Sequence, residues 1–229
     1  MRVQRFLLTC GIVSALLYAA MNIFVAMQWD DYSSKTQTVS ELSAIGAPTR
    51  WLWVPLGVVY TLLTAAFGWG VRKSVAGNRK LRIAGAFLVA YGISGLAWPV
   101  FPMHLREVLA AGGESWSDTM HLALASFTVL LMMLAMGFGA AAFGRHFRIY
   151  TIITIALLAT FGGLTSAEAG AVEVNGPTPW IGVFERLNIG VFLVWIVVLA
   201  AMLWNEPDTV DKAGNELGPF GRSSGIRVN

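Results

Sequence analysis

Six stretches of this chain contain no Asp, Glu, Lys or Arg: Phe6–Trp29, Trp51–Val71, Ile83–Met103, Thr119–Phe143, Ile149–Ala167 and Leu187–Trp204. Crossing the hydrocarbon core of a bilayer takes about 20 predominantly apolar residues, and every stretch falls within the usual range. A lipid-exposed backbone must satisfy its own N–H and C=O groups, which confines such runs to helices. The prediction is an all-α polytopic membrane protein, with a bundle of six transmembrane helices over residues 1–204. Residues 205–229, rich in Gly, Ser and charge, read as a poorly ordered cytoplasmic tail. Charged residues make up 13% of the chain, against about 25% in a soluble domain. That deficit excludes a water-soluble globule, a coiled coil and a disordered chain.

The first run follows Met1-Arg-Val-Gln-Arg5 and so resembles a signal peptide at first sight. It is too long for a signal h-region and lacks a clear small-x-small cleavage site, so it reads as a retained helix.

Charge sets the expected orientation. With the N-terminus, the second and fourth loops and the tail on one side, that side holds Arg2, Arg5, Arg72, Lys73, Arg79, Lys80, Arg82, Arg145, Arg148, Lys212, Arg222 and Arg227, twelve of the 16 Lys and Arg residues. The other side keeps Lys35, Arg50, Arg106 and Arg186, and nine of the 13 acidic residues. Basic loops stay cytoplasmic, so both termini are expected inside and the protein in the cell membrane. The basic residues then act as topology determinants, and no nucleic-acid partner is expected. Trp29, Tyr32, Trp51, Trp53, Trp98, Trp116, Trp180 and Trp204 lie at run ends, as interfacial aromatic belts do. Cys10, the single cysteine, falls within the first run and reads as a small apolar packer.

Apart from His121, the runs hold no acid, base or histidine, which argues against a proton-coupled transporter, a voltage sensor and a midplane ion channel. Ser14, Tyr18 and Asn22 share one stripe of the first helix, and Tyr91, Ser94 and Trp98 share a face of the third. Interhelical hydrogen bonding is the expected use of these groups. The pairs Ala66/Gly70, Ala135/Gly139 and Ala140/Gly144 suggest close helix packing.

The chemistry-bearing residues gather on the expected outer face. Ser117-Asp118 reads as a helix start in which either residue can cap free N–H groups. Asp118 and His121 are three apart and share a face at the outer mouth, with His104 at the same depth after Pro102 stops the third helix. Two histidines and a carboxylate there form a candidate divalent-metal site, for instance for zinc, which Glu41, Glu107 or Glu185 would complete. The opposing reading makes Asp118 a cap, His121 its local partner and His104 an interfacial residue. Glu41 either faces the histidines or, the preferred reading, pairs with Arg50. Ser40 and Ser43 flank Glu41 in a short helix or re-entrant turn stopped by Gly46-Ala-Pro48. Arg186 and Asn188 complete the outer candidates. There is no Gly-x-Ser-x-Gly elbow, His-Glu-x-x-His or phosphate-binding glycine loop.

Three segments carry a family resemblance: Val39-Ser-Glu-Leu-Ser-Ala-Ile-Gly-Ala-Pro-Thr-Arg-Trp-Leu52, Phe101-Pro102 and His121. On these residues the chain, from Phe6 to Trp204, resembles the prokaryotic six-span membrane family designated domain of unknown function 998. The resemblance implies a helical membrane bundle and no established activity. Many members carry a different polar residue where this chain has His104, so the chain resembles a subgroup with Phe-Pro-Met-His and Asp-Thr-Met-His. The constellation is also similar in part to that of membrane hydrolases holding zinc with three histidines and an aspartate, although only two outer histidines are present here.

Three functions are compatible with these residues. The favoured one is a non-enzymatic module that binds a ligand, lipid or partner through a polar cup at the outer face. The alternative is a metal-assisted hydrolase of lipids or amphiphiles, with His104, His121 and Asp118 as ligands and Glu41 as general base. The third is a small-solute transporter.

Overall fold

The computed structural model describes residues 2–74 and 78–204; the expected tail, 205–229, lies outside them. Seven helices follow one another: α1 (Arg2–Ala26), α2 (Arg50–Ser74), α3 (Arg79–Ser94), α4 (Arg106–Ala110), α5 (Trp116–Ala142), α6 (Arg145–Glu173) and α7 (Ile181–Trp204), with short 3-10 turns at Ser40–Ser43 and Gly95–Ala97. Six of them, α3 being counted with its 3-10 extension to Ala97, are long and apolar enough to cross a membrane. The described residues form no β-strand.

The long helices form a closed circuit, α1–α2–α3–α5–α6–α7, in which α7 returns to α1. The Arg5 guanidinium lies over the Trp204 ring, 5.7 Å from its centroid, so the start of α1 and the end of α7 share one end of the bundle. This basal end also carries Arg72, Lys73 and Arg79, and the long connections 27–49, 98–115 and 174–180 lie at the opposite, loop end. The core holds Phe67, Leu88, Met136, Phe192 and Trp195, all fully buried, and Cys10 is buried beside them.

Several helix ends differ from the apolar runs, and three of them have a clear local reason. The regular part of α3 stops at Ser94, not after Pro102. Pro99 has no N–H to continue the ladder, and the Gly95 carbonyl accepts from Trp98 in the tighter 3-10 pattern. Helix α5 starts earlier than Ser117, because Ser115 is its N-cap. Ser115 and Asp118 form a capping box, with Asp118 reaching back to the Ser115 N–H. Helix α7 begins six residues before its apolar run, taking Glu185 and Arg186 into its first turns. The first loop accommodates these charges: Lys35 O accepts from Gly182 N–H at 3.1 Å, and Ser34 and Gln37 carbonyls accept from Arg186.

Glycines fix the tightest helix pair. A Cβ at Gly68 would sit 2.6 Å from the Val89 backbone nitrogen, and one at Gly92 would sit 2.6 Å from that of Ala65. Helices α2 and α3 therefore pack backbone to backbone, with Gly85 and Gly95 in the same seam. Of the small-residue pairs read from the sequence, Gly70 meets Leu7 and Gly139 meets Trp195, whereas Gly144 faces open space. Of the polar faces read from the sequence, Tyr91 makes one interhelical bond, with Tyr60 at 2.9 Å. Ser14, Asn22 and Ser94 instead donate to carbonyls of their own helices.

Candidate functional site

The first loop is a folded plug. Val39 and Leu42 are buried with Met21, Val25 and Trp53. Their apolar side chains pull the 3-10 turn Ser40–Ser43 into the bundle mouth and bury Glu41 completely. Glu41 meets Arg106 there in a two-point fork, Nε to Oε1 at 2.8 Å and Nη2 to Oε2 at 2.9 Å. The Thr38 N–H and hydroxyl donate to Oε2 as well, at 2.6 and 3.0 Å. Two expectations are thereby corrected. Glu41 pairs with Arg106, not Arg50, because α4 carries Arg106 across the mouth while Arg50 donates to the Ser43 and Pro99 carbonyls. Nor is Glu41 placed to act as a general base: its oxygens are occupied and it has no solvent access.

The proposed metal set does not assemble. His104 donates its backbone N–H to Asp118 Oδ1 at 2.7 Å, and its Nδ1 lies 2.8 Å from Oδ2. Oδ2 also accepts from the Ser115 N–H and hydroxyl, so both oxygens of Asp118 serve the loop and the helix cap. His121 turns elsewhere: its Nδ1 lies 2.9 Å from the Phe101 carbonyl and its ring stands edge-on to Trp98. Among the described residues no three His, Cys, Asp or Glu side chains converge to hold a metal ion. The donors are spent on fixing the 98–105 segment, which is also tied to the plug by the Ile45 N–H donating to Met103 O at 2.8 Å.

What the loop end does contain is a cavity of about 720 Å³, within the roughly 300–1,000 Å³ usual for small-molecule sites. Tyr60, Tyr91, Thr128, Met132 and Leu158 line its deep part, and Trp53, Trp98 and Val172 add to a mostly apolar wall. Ser40, Ser43, Asp118, His121, Glu185 and Asn188 supply polar groups, so six sequence candidates share one space. Glu107 is exposed on α4 and Arg186 points into the first loop, and neither lines it. Asn188 donates to the Leu158 carbonyl at 2.6 Å and ties α7 to α6.

The cavity lies where α5 and α6 diverge. They leave a two-residue turn at the basal end, and farther up their facing residues Leu122 and Ser126 on α5, and Ala159, Gly163 and Ser166 on α6, are exposed while lining the cavity. The opening is therefore lateral as well as axial. Residue order carries no signal for it, since a wall of Gly, Ala, Ser and Leu reads like any lipid-facing helix.

Beside the cavity, Tyr32 secures the plug. Its hydroxyl donates to Thr38 O at 2.7 Å and accepts from Arg186 Nη2 at 2.6 Å. Burial pushes the phenol pKa well above its ordinary value, so Tyr32 stays a neutral donor.

The family described as "Protein of unknown function (DUF998)" matches residues 12–202, from the middle of α1 almost to the end of α7. The chain belongs to the DUF998 family. No curated protein and no solved structure matches it. The DUF998 match covers the plug, the Glu41–Arg106 fork and the whole cavity wall, so all three belong to the family region of the chain.

Proposed function

We propose that this protein binds an amphiphile from the outer leaflet of the cell membrane, with the apolar chain between α5 and α6 and the head at the polar end near Ser40, His121, Glu185 and Asn188. The observation that carries this reading is the lateral opening: the same α5 and α6 residues are exposed and line the cavity. A lipid-facing slot admits a chain without passing it through water, and the apolar area it buries supplies the driving force. The orientation is part of the proposal. Basic residues collect at the basal end, so that end is cytoplasmic and the plug external.

Lipid adducts on the purified protein, counted by native mass spectrometry, test the binding. Ala125→Trp places an indole in the cavity wall and is expected to remove bound amphiphile. Leu130→Trp, on the same helix but outside the wall, leaves it in place. Equal loading of both variants would overturn the proposal. Orientation is read by labelling: an impermeant thiol reagent added outside cells modifies Ser34→Cys and spares His146→Cys, while native Cys10 is buried and silent.

A further inference from the structure

Resting on the amphiphile-binding reading, we infer that the cavity selects a cationic head that donates hydrogen bonds, a long-chain ammonium in chemical class, over anionic amphiphiles. The wall contains four carboxyl groups, Glu114, Asp118, Glu173 and Glu185, and no Lys or Arg. Three of the four are accounted for. Asp118 is held by His104 and Ser115, and Glu114 and Glu173 are exposed at the rim.

Glu185 differs. It lines the cavity from the second turn of α7, accepting from the Val39 N–H and, at 3.4 Å, from the Ser40 hydroxyl. Its neighbour Arg186 is directed away, to the Ser34, Gln37 and Gly182 carbonyls and Tyr32. The ion pairs among the described residues are His104–Asp118 and Arg106–Glu41, so none neutralises Glu185. Glu185 is half-buried; a carboxylate partly withdrawn from water without a paired cation is costly, and the cavity is the side from which a cation can arrive.

His121 adds an independent observation. It is 5% exposed and stands in the same wall. Because the Phe101 carbonyl can only accept, Nδ1 carries the proton of the neutral ring, which leaves Nε2 an acceptor. That Nε2 is buried and has no partner among the described residues. In this wall, then, Glu185 has no paired cation and His121 Nε2 has no donor, and Tyr18, Trp53 and Trp98 present aromatic surface to the same cavity. An ammonium supplies N–H donors, positive charge and a partner for aromatic faces. A carboxylate or phosphate head would meet the Glu185 carboxyl with no Lys or Arg in the wall to offset it.

Dodecylamine, dodecanol and dodecanoate, titrated against the protein in phosphatidylcholine nanodiscs and followed by tryptophan fluorescence, decide the point, with Ala125→Trp as the background for partition into the discs. The amine is expected to bind about tenfold or more tightly than the alcohol, and dodecanoate most weakly. Glu185→Gln keeps the shape and an oxygen for the Val39 N–H, and is expected to bring the amine down to the affinity of the alcohol, which itself is unchanged. Dodecanoate binding as well as the amine, or a preference for the amine that survives in folded Glu185→Gln, overturns the inference and leaves amphiphile binding standing. Should the variant not fold, the order of the three affinities on the unsubstituted protein decides in its place. If none of the three binds above background, the amphiphile reading falls with it.

Discussion

Two adjacent-helix pairs in this bundle are built from similar residues and pack in opposite ways. Helices α2 and α3 meet through Gly68, Gly85, Gly92 and Gly95 with no room for a methyl group, whereas Gly137 on α5 and Gly163 on α6 meet nothing within 4 Å and their helices diverge around a cavity. A glycine in a membrane helix therefore does not by itself mark a contact. What distinguishes the pairs is whether the partner backbone is brought to the glycine, and here the loops decide that. The plug and its fork with Arg106 pack over α1, α2 and the start of α7, while the facing residues of α5 and α6 at the loop end stand exposed around the cavity. Two acids beside the plug, Glu41 fully buried and Glu185 half-buried, follow the same division. Glu41 is closed by a cation and five donated hydrogen bonds, and Glu185 is left with a backbone N–H and a distant hydroxyl.

The contrast can be broken at several points. Arg106→Ala leaves the Glu41 carboxylate buried without its cation, and removing one partner of such a pair costs about 3–5 kcal/mol. Thermal unfolding in detergent should register this as the largest single loss, and adding Glu41→Gln should recover part of it. A variant as stable as the parent would mean that the fork does not hold the plug. Gly92→Leu pushes a side chain into the Ala65 backbone and is expected to cost about 1–3 kcal/mol or more. Gly163→Leu, pointing into open space, should change stability by less than about 0.5 kcal/mol while lowering amphiphile loading. Equal stability effects of the two would erase the distinction between seam and gap. Ser115→Ala removes a helix cap worth about 1 kcal/mol, and should loosen the 98–105 segment through Asp118 and His104. Hydrogen exchange confined to α5, with no change near His104, would show that the cap and the loop are uncoupled.

Much of the architecture is legible in the residue order. Charge-free runs locate all six long helices because lipid tolerates no other backbone, and the buried Cys10 follows from its place in such a run. The ends are less legible. Hydropathy places the start of the last helix at Leu187, since it scores Glu185 and Arg186 as loop residues. They fit in a helix because Lys35, Ser34, Gln37 and Val39, about 150 positions away, satisfy their backbone and side chains. The interfacial aromatics divide for a similar reason: Trp51 and Trp116 are exposed, as in a belt, whereas Trp53, two residues on, turns into the core under the plug.

At the candidate site, the sequence identifies the right residue types and mispairs them. Asp118 and His121 share a helix face by periodicity, yet the 98–105 segment passes between their uses, taking Asp118 with His104 and His121 with Phe101. Proximity along the chain favours Arg50, nine positions on, as the partner of Glu41, which instead meets Arg106, sixty-five away. Composition and order determined the all-helical bundle, the number of long apolar helices and the separation of basic and acidic ends, because burial in lipid and backbone hydrogen bonding act locally along the chain. Only the tertiary structure decided which acid is neutralised, which histidine keeps a free acceptor and which helix pair stands open, because each depends on a partner brought across the bundle by a loop whose own sequence carries no periodic signal.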